Sequence, residues 1–348
     1  MIQNIDWQHY MMPYQQQLME LSSLFEKFPR AEILECEKEV VYTQDKIKLY
    51  HYIPLNPKPQ AKPLLIMFAL VNRPYVIDIQ PNRSLIRPLL EAGFEVYLID
   101  WGYPDASDAH LRLEDYILDY LDHCVDFIRT QSGHDAIDLL GICQGGTFSL
   151  CYTALFPEKI NKLVTMVTAV DFHTPGNTLY ELVAPLDLEN IIQHYQNMPG
   201  WILNLLFFSL KPSASHWLKY QRMLKEDPQS EKMALFLRME HWLYDTTDQA
   251  GTAFVQYITD MYQHNKLVRN QFYLNDRLVD LKQITHPVLN IFALQDDIIP
   301  PSASQCLPQY ICSKDYQQLT FDGGHIGIYT SQRAQQQIPP VISKWLMQ

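Results

Sequence analysis

Five short apolar runs, rich in β-branched residues and separated by longer stretches of helical spacing, constrain this chain more than any other feature. They read "PLLIMFAL" (63–70), "FEVYLID" (94–100), "AIDLLGI" (136–142), "KLVTMVTA" (162–169) and "PVLNIFAL" (287–294). A strand that is apolar on both sides must be covered on both faces, and consecutive parallel strands need a crossover between them. The pattern therefore predicts an α/β fold: a mostly parallel sheet with helices on both faces. Two of the intervening helical stretches, "RSLIRPLLEAG" and "LEDYILDYLDHCVDFIRTQSG", end on the glycine stops Gly93 and Gly133.

The rhythm lapses between about Thr174 and Thr285, where long helical segments rich in aromatic residues replace it, and it resumes at His286. The expected organisation has four parts: an N-terminal helical segment over 1–35 with Pro29 as its stop, a first part of the core over 36–173, a mainly helical cap over 174–285, and the rest of the core over 286–348. The cap is expected over the carboxyl edge of the sheet, where open α/β folds bind ligands. A length of 348 residues suits one large domain with such an insertion.

With 47% hydrophobic and 19% charged residues the chain can bury a core, and its net charge of −12 argues against nucleic acid as the main partner. The most apolar run, "WILNLLFFSL" (Trp201–Leu210), is shorter than the roughly 20 residues that cross a bilayer. It is expected as a buried or interfacial helix, with no membrane span. The N-terminus shows no signal-peptide pattern, which reads as a cytoplasmic location. Six cysteines without a C-x-x-C pair read as reduced thiols.

One of those cysteines stands at a special place. The segment from Ala136 runs as a strand into "GICQGG" and then into the helical "TFSLCYTALF", which ends at Pro157. This is the setting of the G-x-S-x-G nucleophile elbow, with Cys143 where serine usually stands. Such a turn needs small residues two before and two after the nucleophile, here Gly141 and Gly145. It also puts the thiol at a helix N-terminus, which favours thiolate, and makes the Gln144 N–H one candidate oxyanion donor. Taken alone, the pattern fits a cysteine buried for packing equally well.

The partners of Cys143 decide the matter. Elbow chemistry runs in the chain order nucleophile, acid, base. After "PVLNIFAL" comes "QDDIIPP" with Asp296, and after the strand-like "YQQLTF" comes "DGGHIGIY" with His325. Asp297 competes with Asp296 on spacing. His51 and His286 flank strands, His123 lies in a helical pattern and His241 stands before Trp242; all four read as structural. A zinc site at His123 and Cys124 is disfavoured, because adjacent helix positions do not face one another. The loop "ALVNRPY" should supply the second oxyanion donor: Val71 N–H, with Asn72 next. Arg73 in the same loop fits either a substrate phosphate or a surface salt bridge.

On these residues, together with "ALVNRPYVIDIQPNRSL", "VYLIDWGYPD", "DFHTPGN" and "DTTDQAG", the chain from about residue 40 onward resembles the catalytic subunit of polyhydroxyalkanoate synthases, particularly the two-component class III and class IV kinds. That family resembles lipases of the α/β-hydrolase fold and carries a G-x-C-x-G-G box. The resemblance implies an acyltransferase that polymerises (R)-3-hydroxyacyl-CoA, with 3-hydroxybutyryl-CoA the expected donor, into a growing polyester chain with release of coenzyme A. It implies Cys143 as the acylated nucleophile, His325 as its base and Asp296 as the third member. No cofactor is implied, since coenzyme A is part of the substrate and a product. A second synthase subunit of class III or IV type, a homodimer and a location at the granule surface are further implications. The chain departs from the family at "QDD", where another residue often follows the aspartate. Two rivals remain: a cysteine thioesterase or hydrolase using the same triad with water as acceptor, and a granule-coat protein without activity, which the intact Cys143, Asp296 and His325 disfavour.

Overall fold

The computed structural model describes residues 32–55, 61–210, 219–220, 222–223, 226–227 and 229–348. Most of the N-terminal segment expected to be helical lies outside the described residues, and the described part, 32–35, has no regular secondary structure.

Eight strands form one sheet: β1 (Lys38–Gln44), β2 (Ile47–Tyr52), β3 (Leu64–Met67), β4 (Val96–Asp100), β5 (Ile137–Ile142), β6 (Ile160–Met166), β7 (Val288–Ala293) and β8 (Tyr316–Phe321). Their order across the sheet is β1-β2-β4-β3-β5-β6-β7-β8. β2 runs antiparallel to both neighbours, and every pairing from β4 to β8 is parallel. This is the α/β fold expected from the five apolar runs, with a β1–β2 hairpin added at one edge. The hairpin turns at Asp45, whose φ is 51°.

Alternation along the central strands sorts their side chains into two cores. Leu65 and Met67 of β3 pack on one face with Leu139 of β5, helix α2 (Leu121–Ser132) and helix α3 (Gln144–Leu155). Leu64 and Ile66 pack on the other face with Leu140, helix α1 (Ile86–Glu91) and the C-terminal helix Gln332–Leu346. A strand buried on both faces has no polar side, which is why these runs read as continuous rather than alternating. Helix α2 stops at Gly133, whose left-handed φ of 71° lets its N–H reach back to Arg129 O.

The run 63–70 is strand only as far as Met67, because its last residues serve the site instead. Trp101 Nε1 donates to Phe68 O, and Leu70 N–H donates to the Gln144 side chain.

Between β6 and β7 lie α4 (Thr178–Val183), α5 (Leu188–Tyr195), α6 (Gly200–Ser209), α7 (Glu231–Tyr244) and α8 (Gly251–Tyr257), followed by a two-stranded hairpin of Tyr273–Leu274 with Arg277–Leu278. The apolar run "WILNLLFFSL" forms α6. It buries Gly200 and Leu203, while Trp201 and Leu205 are 58% and 60% exposed. No helix among the described residues is long and apolar enough to cross a membrane.

Candidate active site

Cys143 occupies the single position between β5 and α3, with φ 57° and ψ −126°. A non-glycine residue there is strained and holds only where its surroundings fix it. They do: Cys143 N–H donates to Met166 O on β6 at 2.9 Å, and Gly146 N–H donates to Cys143 O at 2.9 Å. The start of α3 is wedged between two strands. A Cβ on Gly145 would land on the carbonyls of Met67 and Phe68, and one on Gly146 would land on the Thr168 side chain. Gly146, the last glycine of "GICQGG", is thus as constrained as Gly145, a point that the elbow spacing does not reveal.

Beyond the carboxyl ends of β7 and β8 stand Asp296 and His325, each 7% exposed. His325 Nδ1 and Asp296 Oδ2 are 2.7 Å apart, while Asp296 Oδ1 accepts the N–H groups of Ile298 and Ile299 at 2.9 and 2.8 Å. The carboxylate is pinned by the backbone of its own turn and presents one oxygen to the imidazole. With Nδ1 donating to that oxygen, Nε2 is left for the thiol. Asp297, which spacing left in competition, is exposed.

Burial pushes the proton affinity of His325 down, but the charge of Asp296, the Cys143 side chain, and hydrogen bonds to both push it up and prevail, raising its pKa from 6.5 to about 10. A group whose folded pKa is raised stabilises the fold fully below its ordinary pKa, and that stabilisation is lost as pH rises through the folded value. The melting temperature of the native protein is therefore expected to fall relative to His325→Gln between pH 6.5 and about 10. Parallel melting curves for the two proteins across that window would contradict this charge balance.

Gln144 Oε1 accepts from Leu70 N–H at 3.0 Å, clamping the loop after β3 onto the elbow and occupying that N–H. Gln144 is the first residue of α3, so its own N–H has no partner within the helix. Val71 N–H has no backbone acceptor among the described residues, and Val71, Gln144 and Cys143 line one cavity. Asn72 takes a left-handed φ of 63°, and its side chain meets the Thr246 hydroxyl. Arg73 departs from both alternatives drawn from sequence: it is buried, paired with Asp100, hydrogen-bonded to Gly102 O at 2.8 Å and stacked 4.1 Å from the Tyr103 ring centroid.

The remaining candidate histidines lie outside the cavity. His51 stacks on Tyr97, His123 meets Gln44, His286 meets Pro157 O and His241 lies beside Tyr75. Among the described residues no group of three or more His, Cys, Asp or Glu side chains could hold a metal ion.

The cavity has Cys143 and His325 on one side, and Leu179, Leu203, Phe207, Leu243 and Phe254 from α4, α6, α7 and α8 across from them. Three tyrosines that no motif singles out, Tyr257, Tyr262 and Tyr329, also line it. Burial, reinforced by the negative charge that Cys143 can carry, pushes their hydroxyls well above the usual tyrosine range, so they stay neutral. The arrangement joins a thiol at a helix N-terminus, an imidazole held by a carboxylate and an apolar chamber, a set suited to acyl transfer.

Comparison with known proteins bears on which acyl transfer. The alpha/beta hydrolase fold family matches residues 73–332, and the family described as poly-beta-hydroxybutyrate polymerase (PhaC) N-terminus matches residues 26–89. A poly(3-hydroxyalkanoate) polymerase subunit PhaC of Allochromatium vinosum is 52% identical over 313 residues, covering 89% of this chain and 88% of its own. The protein of the same name from Thiocystis violacea is 49% identical, covering 89% and 87%. The crystal structure of esterase E22 is similar with a TM-score of 0.55 at 15% identity, covering 90% of this chain and 99% of that one, which shows the fold alone.

Proposed function

This chain belongs to the poly(3-hydroxyalkanoate) polymerases, built on the α/β-hydrolase fold, and from that premise we propose that it polymerises (R)-3-hydroxyacyl-CoA, with 3-hydroxybutyryl-CoA as donor, through an acyl group carried on Cys143. His325 Nε2 holds the proton taken from Cys143, in keeping with its raised pKa, and Cys143 Sγ attacks the thioester carbonyl as a thiolate. The N–H groups of Gln144 and Val71 receive the oxyanion. The bond to the sulfur of coenzyme A breaks, and coenzyme A leaves as a thiol with the proton from the imidazolium. One C–S bond replaces another, so the exchange is nearly balanced and the new thioester stays reactive toward oxygen.

The 3-hydroxyl of another acyl unit then gives its proton to His325 and attacks the carbonyl on Cys143. An ester forms, the bond from that carbonyl to Cys143 Sγ breaks, and the thiolate recovers its proton from the imidazolium. Asp296 orients the imidazole and stabilises its charged form. Engagement of both Asp296 oxygens, one by two backbone N–H groups and one by His325, favours that role over direct action on the hydroxyl.

The observation that carries this reading is the pair Cys143 and His325 facing a largely apolar chamber walled by α4, α6, α7 and α8. Water competes with the hydroxyl for the same thioester, so a polymerase must keep the chamber dry. Residues 174–285 serve as the cap that excludes water and moves to admit substrate. No cofactor takes part. A second synthase subunit of class III or IV type, a homodimer and a location at the surface of cytoplasmic polyester granules complete the proposal.

Incubation with (R)-3-hydroxybutyryl-CoA, with and without a candidate second synthase subunit of class III or IV type, separates the rival readings. Polyester and stoichiometric coenzyme A are the expected products. Free 3-hydroxybutyrate without polymer under both conditions would make the protein a thioesterase.

A further inference from the structure

The segment "DTTDQAG" (245–251) joins α7 to α8 and is tied down almost residue by residue. Asp245 accepts from the hydroxyls of Tyr75 and Tyr103, each at 3.0 Å. The Thr246 hydroxyl meets the side chains of Asn72 and Asn204, and the Thr247 hydroxyl donates to Leu70 O at 3.0 Å. Asp248 Oδ1 accepts from Gly200 N–H at 2.8 Å, and Gly251 N–H donates to Asn197 Oδ1 at 3.2 Å. The segment thus clips the starts of α6 and α8 to the loop after β3.

Gln249 is held by its backbone alone, which pairs in both directions with Met198 at 2.9 Å. Its side chain faces differently. Gln249 is 4% exposed, its Nε2 has no hydrogen-bond partner among the described residues, and it lines the cavity that contains Cys143 and His325. Buried amide donors are nearly always paired, so an unpaired one in a chamber for substrate marks the place of a missing acceptor. The other amides lining the chamber are engaged: Gln144 holds Leu70, and Asn72 meets Thr246.

We propose that Gln249 Nε2 donates a hydrogen bond to the 3-oxygen of the hydroxyacyl unit bound in the chamber, and so selects thioesters that carry a 3-hydroxyl. The inference deepens the proposed function and rests on it. Each acyl unit brings two oxygens into the chamber. The carbonyl oxygen is met by backbone N–H groups at Gln144 and Val71, which leaves the 3-oxygen without a donor. A hydroxyl oxygen can accept from Gln249 while keeping its own proton for His325, so the contact is compatible with either stage of the cycle.

The test compares acylation by (R)-3-hydroxybutyryl-CoA and by butyryl-CoA, which lacks the 3-oxygen, following coenzyme A release in a single turnover. The wild type is expected to favour the hydroxyacyl thioester by roughly tenfold in kcat/KM, the scale of one neutral hydrogen bond. Gln249→Leu is expected to bring that ratio close to one, with Gln249→Met as the second variant should the first not fold. A wild-type ratio near one, or a ratio unchanged in the folded variant, overturns the assignment. A purely structural role would slow both thioesters equally and leave the ratio intact. Failure of the wild type to be acylated by either compound would overturn the proposed function itself and the assignment with it.

Discussion

Cys143→Ala is expected to abolish release of coenzyme A from (R)-3-hydroxybutyryl-CoA, with a loss of at least about 10⁴-fold, the scale on which removal of an acyl-transfer nucleophile is felt. The reason is positional as well as chemical. Cys143 is the thiol on the strained turn at the helix N-terminus that shares a cavity with His325. Burial pushes the thiols of Cys36, Cys124 and Cys306 up to about 12 and that of Cys151 higher still, which leaves them inert as nucleophiles near neutral pH. Cys151→Ala, further along the same helix, is the matched comparison. It trims the core without touching the cavity and is expected to retain acylation. Equal loss in both variants would indicate a collapsed fold rather than a missing nucleophile, and full activity in Cys143→Ala would refute the acyl-cysteine scheme.

The second large effect is expected at Asp296. Asp296→Asn keeps an oxygen for the N–H groups of Ile298 and Ile299, so the turn after β7 should stay folded. It changes what His325 sees. An amide turned toward Nδ1 donates where the carboxylate accepted, which places the imidazole proton on Nε2 and disables it as the base. A loss of about 10⁴-fold in kcat is expected, measured by steady-state coenzyme A release. The exposed Asp297 provides the contrast, since Asp297→Asn should retain most activity. Activity of Asp296→Asn within tenfold of wild type would show that the carboxylate does not control the tautomer.

The parts of the molecule that could be read from sequence are those where one physical demand dominates. β3, β5 and β7 are buried on both faces, so their apolar runs stand out. β1 and β2 do not, because a partly exposed edge hairpin mixes polar and apolar positions. Cys143, Asp296 and His325 could be named because each follows a strand end in the order that an elbow requires. Choosing Asp296 over Asp297 needed the geometry of the turn, which points one carboxylate inward and leaves the other at the surface. Arg73 fits neither the substrate phosphate nor the surface salt bridge that its loop suggests, because nothing local shows that Asp100, at the end of β4, meets it in the interior. Gln249 was legible only as part of a motif. An unpaired donor cannot be seen until every neighbour of the side chain is known.

The central claim is that the acyl group is carried on Cys143, and identifying the acylated residue tests it most directly. After brief exposure to a stoichiometric amount of (R)-3-hydroxybutyryl-CoA and acid quenching, peptide mass spectrometry should place the added acyl group on the peptide that contains "GICQGG", at Cys143. An acyl group on any other residue, or turnover to polymer with Cys143 unmodified at every time point, would contradict the account.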